Sequence, residues 1–449
     1  MADVVIRNGL VVNADGARIA DVAIEDGRFS AIGPELPSGH LEIDATGLAV
    51  LPGLIDVHLH FNEPGRTEWE GISTGSCSFA AGGGTLFFDM PLNSTPCTLD
   101  GLSFDLKRQA MERSSVTDFA LWGGLTPTNL DSLDELAERG VIGFKAFLCD
   151  SGLPEFQRAD DLTLHEGMSV AARWGLPVAV HAESEELTKA LTAKIRANGG
   201  QGVRDYLASR PVLAELEAIQ RAALIAKDTG ARLHIVHISS GRGVALAAQL
   251  RSAGVDLTIE TCPHYLFFTE QDLEEIGAAA KCSPPLRSFA EREALWDRML
   301  DGTVDIVGSD HSPAPPEMKS DPDFFKIWGG IAGVQSTLGV LLEAGCHRRR
   351  LGISRVVQLT AAAPARRFHI LHKGAIEVQM DADCTLVELG TSYSLEASDL
   401  FYRHKISPYL SKQLRGVVRR TIRGGVTIFE DGKIPVVAHG KLIRPPGGD

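Results

Sequence analysis

The sequence predicts an α/β protein, in which a (β/α)8 TIM-type barrel carries a smaller β-sandwich domain built from both chain ends. Two observations lead to this prediction. Short apolar runs recur eight times between residues 54 and 311, and most are separated by helix-like segments. At the two chain ends, apolar and polar residues instead alternate, as they do in half-buried strands.

The eight apolar runs are near-continuous, which is typical of parallel strands covered by helices on both faces. They are LIDVHLH (54–60), GTLFFDMP (84–91), DFALWGGL (118–125), VIGFKAFL (141–148), LPVAVHAE (176–183), RLHIVHIS (232–239), DLTIETCPH (256–264) and VDIVGSDH (304–311). Eight such units over about 250 residues have the size of a (β/α)8 barrel. A doubly wound open sheet is the alternative, but no glycine-rich dinucleotide motif follows the first run.

The chain ends predict the second domain. The segment DVVIRNGLVVNADG at the start and GVVRRTIRGGVTIFEDGK near the end alternate in polarity and contain glycine turns, which predicts short antiparallel strands. We expect residues 1–51 and 371–449 to form the N- and C-terminal parts of the β-sandwich domain, and residues 52–370 to form the barrel.

Composition excludes several classes of partner. The chain of 449 residues has a formal net charge of −14, and HRRR at 347–350 is its longest basic block. We therefore expect no nucleic-acid or membrane partner. The seven cysteines are scattered and odd in number, and the N-terminus lacks the pattern of a secretory signal. These features favour a cytoplasmic protein.

The first apolar run contains two histidines at alternate positions. Because successive side chains on a strand point to opposite faces, His58 and His60 lie on the same face. The pair is equally compatible with hydrogen-bonded core histidines and with metal ligands.

Further polar residues occur at the ends of later runs, where barrel active sites lie. They are Lys145 in the fourth run, His181 in the fifth, His237 in the sixth and Asp310 in the eighth. A lone histidine is more often structural, and Asp310 alone could cap the next helix. Six such residues at one end of one barrel predict a metal centre.

Lys145 is surrounded by apolar residues in the segment GFKAF. An unpaired buried ammonium is costly, so a salt-bridged or partly exposed lysine is the ordinary interpretation. The alternative is that a desolvated amine adds CO2 and forms a carbamate whose two oxygens bridge two metal ions.

This set of residues resembles the cyclic amidohydrolases of the amidohydrolase superfamily, which include dihydroorotase, hydantoinase/dihydropyrimidinase and allantoinase. The resemblance covers essentially the whole chain. It implies a binuclear centre, usually zinc with cobalt or manganese also possible, held by His58, His60, carboxylated Lys145, His181, His237 and Asp310. It also implies that Asp310 moves the proton from the attacking water to the leaving ring nitrogen.

The surrounding segments resemble the allantoinases most closely. They include HFNEPGRTEWEG (60–71), KCSPPLR (281–287), SDHSPAPPEMK (309–319) and IWGGIAGVQS (327–336). Asp150 stands where hydantoinases typically have a tyrosine, and Asn62 where dihydroorotases typically have an arginine. Both alternatives stay open, but these differences weigh against them.

The resemblance further implies ring opening of a cyclic ureide, allantoin, to allantoate. Asn93, Ser283 and Gly329 would line the substrate pocket, although these segments are also ordinary turn sequences. The resemblance also implies a homo-oligomer, in particular a tetramer. A non-catalytic scaffold relative is the remote alternative, but such relatives have lost ligand positions, and here all six are filled.

Overall fold

A computed structural model describes residues 1–435 and 440–446. In this part of the chain the strands, in order, are β1 (Val4–Asn13), β2 (Gly16–Glu25), β3 (Arg28–Gly33), β4 (Leu41–Asp44), β5 (Ala49–Pro52), β6 (Leu54–Leu59), β7 (Gly84–Asp89), β8 (Asp118–Leu121), β9 (Gly123–Gly124), β10 (Phe144–Phe147), β11 (Pro177–His181), β12 (Arg232–Ile235), β13 (Leu257–Thr261), β14 (Ile306–Val307), β15 (Cys384–Ser394), β16 (Gln413–Arg423) and β17 (Val426–Glu430).

The α-helices, in the same order, are α1 (Ile72–Ala81), α2 (Gly101–Ser114), α3 (Leu133–Glu138), α4 (Asp161–Trp174), α5 (Glu185–Ala197), α6 (Val203–Ser209), α7 (Val212–Thr229), α8 (Gly241–Ser252), α9 (Pro263–Phe267), α10 (Glu270–Ile276), α11 (Phe289–Leu300), α12 (Thr337–Val340), α13 (Ile353–Val357) and α14 (Ala363–Arg367). Each of the eight predicted runs contains a strand, and β8 and β9 both fall in the third.

The barrel consists of two parallel sheets. Strands β6 to β8 form one sheet, and β9 to β14 form the other in sequential order. The ring closes where the segment after β14 pairs with β6, because the Asp310 amide donates to the His58 carbonyl (2.8 Å) and the His60 amide to the His311 carbonyl (2.8 Å). This architecture confirms the predicted fold class.

Local sequence signals fix the ends of the barrel helices. The Asp160 side chain accepts a hydrogen bond from the Thr163 amide at the start of α4, which is a standard N-cap. Helices α4 and α7 both end at a glycine in the left-handed region, Gly175 (φ 65°) and Gly230 (φ 69°). Short turns of this kind return the chain to the next strand and keep the carboxyl ends of the strands at one face.

The strands of the two chain ends join into one eight-stranded sheet. Its order is β17-β16-β15-β5-β1-β2-β3, and β4 also pairs with β1. The sequence analysis expected antiparallel strands, but β1 pairs in parallel with β4 and β5, because the chain crosses over between them instead of turning back. The domain boundaries stay a prediction, and residues 436–439 and 447–449 of the predicted C-terminal part lie outside the described residues.

A buried ionic cluster connects this sheet to the barrel. The Lys373 Nζ atom lies 2.6 Å from Asp383, 2.9 Å from Asp118 and 3.1 Å from Asp381. Arg423 in β16 contacts the other oxygen of Asp118 at 2.6 Å. Since Asp118 begins the barrel strand β8, the cluster fixes the barrel against the β-domain.

Within residues 1–435 and 440–446, no helix is both long enough and apolar enough to cross a membrane.

Candidate metal centre

Five of the six predicted ligands converge at the carboxyl ends of the barrel strands. His58, His237 and Asp310 each place a potential ligand atom within 4.8 Å of the other two. The Asp310 Oδ1 atom lies 3.2 Å from His58 Nε2 and 3.6 Å from His60 Nε2. On the other side, His181 Nδ1 lies 3.0 Å from His237 Nε2. The structure therefore brings together side chains from β6, β11 and the segments after β12 and β14.

Two of these residues have strained backbones. His237 and Asp310 have positive φ values of 40° and 45°, which is unusual for residues other than glycine and costs about 1–3 kcal/mol each. Hydrogen bonds hold them there: the His237 amide donates to Glu260 at 3.2 Å, and the Asp310 amide donates to His58. Strain of this kind is typical of residues whose side chains must point into a functional site.

Electrostatics favour the ligand forms of these side chains. Burial lowers the pKa of His60, His181 and His237, so each imidazole is neutral. Burial would raise the pKa of Asp310, but His58 and His60 outweigh this effect and hold it below its usual range. Neutral imidazoles and a carboxylate are the forms that bind divalent metal ions.

Lys145 is fully buried in β10 beside this cluster. Among the described residues, its Nζ atom has no hydrogen-bond partner, and it lies 5.0 Å from the centre of the Phe147 ring. Burial lowers the pKa of Lys145 to about 8. The side chain is therefore neither salt-bridged nor partly exposed, which disfavours the ordinary interpretation of this lysine.

The three predicted substrate contacts lie in two places. A Cβ atom at Gly329 would be 3.7 Å from Ser283 Oγ, so these two residues are neighbours. Asn93 lies apart from them in sequence and donates to Ser312 Oγ at 3.4 Å, two residues after Asp310.

Comparison with known proteins identifies the family. The model of the amidohydrolase family matches residues 49–434. The chain belongs to this family. Among curated proteins, allantoinases from Solibacter usitatus and Rubrobacter xylanophilus are 62% and 54% identical to it. These matches cover 99% of the chain and 97% and 98% of the relatives. They confirm the resemblance predicted from the sequence.

Solved structures of other amidohydrolases have the same fold. The L-hydantoinase (dihydropyrimidinase) from Arthrobacter aurescens superimposes with a TM-score of 0.96 at 34% identity, over 99% of this chain and 100% of that one. The dihydropyrimidinase from Brevibacillus agri gives a TM-score of 0.91 at 28% identity, over 98% of each chain.

The donor set of this amidohydrolase fits a divalent metal centre. Among the described residues, His60 Nδ1 and Lys145 Nζ are buried polar atoms with no hydrogen-bond partner. Buried polar groups are rarely left unsatisfied, and exceptions point to a ligand or a catalytic role. Imidazole nitrogens combined with a carboxylate suit zinc and similar first-row ions.

Glu260, which the sequence did not single out as a site residue, orients one predicted ligand. Its carboxylate oxygens lie 2.9 Å from His58 Nδ1 and 2.8 Å from His234 Nε2. Burial raises the pKa of a carboxyl group, but His58 and His234 outweigh this and lower the pKa of Glu260 to about 2. The sequence did contain a signal for this role, because Glu260 is a charged residue within the apolar run DLTIETCPH.

Glu183 plays the same part on the other side of the cluster. Its Oε2 atom lies 2.9 Å from His181 Nε2 and also accepts a hydrogen bond from Arg210. Burial would raise the pKa of the Glu183 carboxyl group, but Arg210 and His181 outweigh this effect and lower it to about 2. A carboxylate on the outer nitrogen of a histidine fixes the tautomer and aims the inner nitrogen at a metal ion.

His264 is a further residue that the sequence analysis did not select. Both of its ring nitrogens are buried, and within residues 1–435 and 440–446 neither has a hydrogen-bond partner. Burial lowers its pKa to about 4. It lies in α9, three residues after β13 ends, and it closes the seventh apolar run, so its position near the carboxyl end of this strand could have been recognised from the sequence.

Proposed function

We propose that this protein hydrolyses the five-membered ring of allantoin to give allantoate. The convergence of His58, His237 and Asp310 beside the buried Lys145 carries the proposal, because these side chains are suitable ligands for the metal ions of a metal-dependent hydrolase. The curated relatives named allantoinase support this choice of substrate.

Two divalent metal ions would occupy the centre, with zinc preferred and cobalt or manganese as alternatives. His58, His60, His181, His237 and Asp310 would hold them together with a carbamate on Lys145. The carbamate forms when the neutral Lys145 amine adds to CO2 and loses a proton. The apolar setting of this amine supports the reaction, because burial keeps a large share of it uncharged near pH 8.

When bound, such ions lower the pKa of a water molecule and polarise the ring carbonyl. Asp310 takes the proton from the attacking water at its carboxylate and delivers it to the leaving ring nitrogen. The hydrogen bond from the Asp310 amide to the His58 carbonyl holds its backbone at a positive φ, and this backbone carries the carboxylate toward His58 and His60.

The pocket residues suit a neutral ureide. Asn93 offers an amide, and the backbone at Ser283 and Gly329 offers donors and acceptors without a fixed charge. Asn62 contributes another buried amide: its Nδ2 atom lies 3.4 Å from the Pro313 carbonyl. A substrate carboxylate, as in dihydroorotate, would instead call for an arginine at this position.

The second candidate is a hydantoinase or dihydropyrimidinase activity. The superposition on the Arthrobacter aurescens L-hydantoinase favours it, since that enzyme shares the entire fold. Asp150, which stands where those enzymes typically have a tyrosine, weighs against it. A scaffold role is disfavoured because every predicted ligand position holds a suitable residue.

One assay decides between these activities. The purified protein, loaded separately with zinc, cobalt and manganese, should be tested against allantoin, hydantoin, dihydrouracil and dihydroorotate. We expect kcat/KM for allantoin to exceed the others by at least about tenfold, or about 1.4 kcal/mol of transition-state stabilisation. A higher value for dihydrouracil or hydantoin would transfer the assignment to the second candidate, and no turnover of any of the four would support the scaffold role.

We further infer a homo-oligomer, in particular a tetramer, in the cytoplasm. The mass of the purified protein in solution, measured by light scattering, tests the assembly, and a monomer would contradict it.

A further inference from the structure

A buried lysine, Lys281, and a partly buried one, Lys319, hold the segment that follows Asp310. Lys281 lies just after α10 and its short 3-10 extension, and its Nζ atom donates to the carbonyls of Phe324 (2.7 Å), Phe325 (3.3 Å) and Ile327 (2.5 Å). One ammonium group thus gathers three carbonyls from a single turn of the segment 313–333.

Lys319 makes the reciprocal contact from within that segment. Its Nζ atom donates to Trp328 (2.9 Å) and Gly330 (2.6 Å) in the same segment, and to Ala278 (3.1 Å) on the opposite side. The two lysines therefore cross-connect residues 278–281 with residues 319–330, and each ammonium group has three carbonyl acceptors.

Removing two lysine amines from water costs free energy that a purely structural contact would not need to spend. Within the described part of the chain, neither lysine forms an ion pair with a carboxylate, and burial lowers the pKa of Lys281 and of Lys319 to about 7. Apolar side chains could fill the same space without burying two amines. A fixed backbone conformation, which three convergent hydrogen bonds provide, is what the lysines add.

The backbone that they fix contains two of the expected substrate contacts. Gly329 lies between the carbonyls of Trp328 and Gly330 that Lys319 binds, and Ser283 lies two residues after Lys281. The two sites face each other, since a Cβ at Gly329 would be 3.7 Å from Ser283 Oγ and 4.0 Å from Lys281 Cε. The Tyr206 hydroxyl adds a hydrogen bond to the Cys282 carbonyl at 2.8 Å.

We propose that Lys281 and Lys319 are positioning residues that hold the backbone at Ser283 and Gly329 at a fixed separation, and thereby set the affinity for the ureide arm of the substrate. The inference rests on the proposed function for the identity of the substrate. The lysines do not touch the reacting atoms, so they act on binding and leave the chemical step unchanged.

The test uses the full-length, metal-loaded protein and the variants Lys281→Met and Lys319→Met. We expect KM for allantoin to rise about tenfold while kcat stays within about threefold, because the lost interaction concerns substrate binding. Backbone amides of residues 320–330 should exchange with deuterium about tenfold faster. Lys326→Met is the matched control, since Lys326 is an exposed lysine in the same segment and should leave both measurements unchanged.

The results separate the alternatives. KM and exchange within twofold of the unmodified protein would overturn the proposal, and so would faster exchange with an unchanged KM, which indicates a structural role only. If a variant does not fold, exchange in the unmodified protein decides: amides 324–330 that exchange as fast as those of an open loop would overturn it. If allantoin is not hydrolysed, the proposed function fails by itself, and KM is measured with the substrate that is turned over.

Discussion

Glu260 Oε1 lies 2.9 Å from His58 Nδ1, on the side of the imidazole that faces away from Asp310. The other carboxylate oxygen contacts His234 Nε2 at 2.8 Å. The His58 ring is therefore oriented through its Nδ1 atom by a carboxylate that His234 fixes in turn. As a result, the Nε2 atom of His58 points toward Asp310. A carboxylate on β13 thus orients a predicted ligand on β6.

We predict that Glu260→Gln weakens metal binding by about 10- to 100-fold, the usual effect of removing a carboxylate behind a ligating histidine. Competition with a chelator of known affinity measures the change. Glu343→Gln is the matched control, because Glu343 is also buried but accepts hydrogen bonds from Arg348 and from Arg415 in β16 of the β-domain. Equal affinities for Glu260→Gln and the unmodified protein would exclude the orienting role.

Lys145→Ala should lose bound metal and activity together, because the proposed bridging carbamate can form only on the Lys145 amine. A small carboxylic acid such as propionate should restore part of both by replacing the missing carboxylate. Metal analysis, with about two ions per chain expected for the unmodified protein, and turnover with and without propionate measure this. Full activity in Lys145→Ala would rule out the bridge.

Reactivation of metal-free protein should depend on pH through Lys145. Only the neutral amine adds to CO2, and with a pKa of about 8 its neutral fraction rises from about a tenth at pH 7 to about half at pH 8. At constant dissolved CO2 and zinc, the initial rate of reactivation should therefore rise about fivefold over this interval. A rate that stays flat from pH 6 to 8 would disagree with a desolvated amine.

Asp310→Asn should keep much of the metal but lower kcat by about a hundredfold or more, the usual scale for lost acid-base catalysis. The amide can still bind through its oxygen, but it cannot accept the proton of the attacking water. Metal content and kcat, measured on the same preparation, separate the two roles. Near-normal turnover would assign the proton transfer to another residue, and the adjacent His311 would be tested next.

Lys373→Met should destabilise the protein by about 3–5 kcal/mol, because it leaves Asp118 and Asp383 buried with one cation fewer. Burial would lower the pKa of Lys373, but the neighbouring carboxylates raise it above the ordinary 10.5. Its stabilising contribution is therefore complete below about pH 10.5 and is lost as the pH rises through the folded-state pKa.

Urea unfolding at pH 7 and at pH 11 measures this contribution. Lys189→Met is the control, because Lys189 is an exposed lysine whose Nζ atom lies 3.6 Å from Glu185, and it should change the stability by less than about 1 kcal/mol. An equally small change for Lys373→Met would show that the cluster does not connect the two parts of the fold.

The sequence was sufficient for the barrel and for the convergence of His58, His181 and Asp310, because strand polarity alone places the carboxyl ends of parallel strands at one face. It was insufficient for Glu260, whose partner His58 lies 202 positions away in the chain. A single carboxylate in an apolar run indicates that a partner must compensate its burial, but the sequence does not show which residue this partner is.

The backbone of the site was also not predictable. Nothing in the segments IVHIS and GSDHS indicates that His237 and Asp310 adopt positive φ, a conformation that tertiary hydrogen bonds impose. The contacts of Lys281 and Lys319 could not be predicted either. Their acceptors are backbone carbonyl groups, and since every residue carries one, the sequence does not mark them.

The pairing of β5 with β15 has a consequence for synthesis of the chain. Leu51 finds its partner Thr385 only after about 330 further residues have been made, which takes tens of seconds at the usual rate of translation. During that time, the edge of β5 that later pairs with β15 is open, whereas its other edge can already pair with β1. Ribosome-bound chains that end before residue 384 should therefore expose β5 to proteases or chaperones, whereas chains that extend past β16 should protect it.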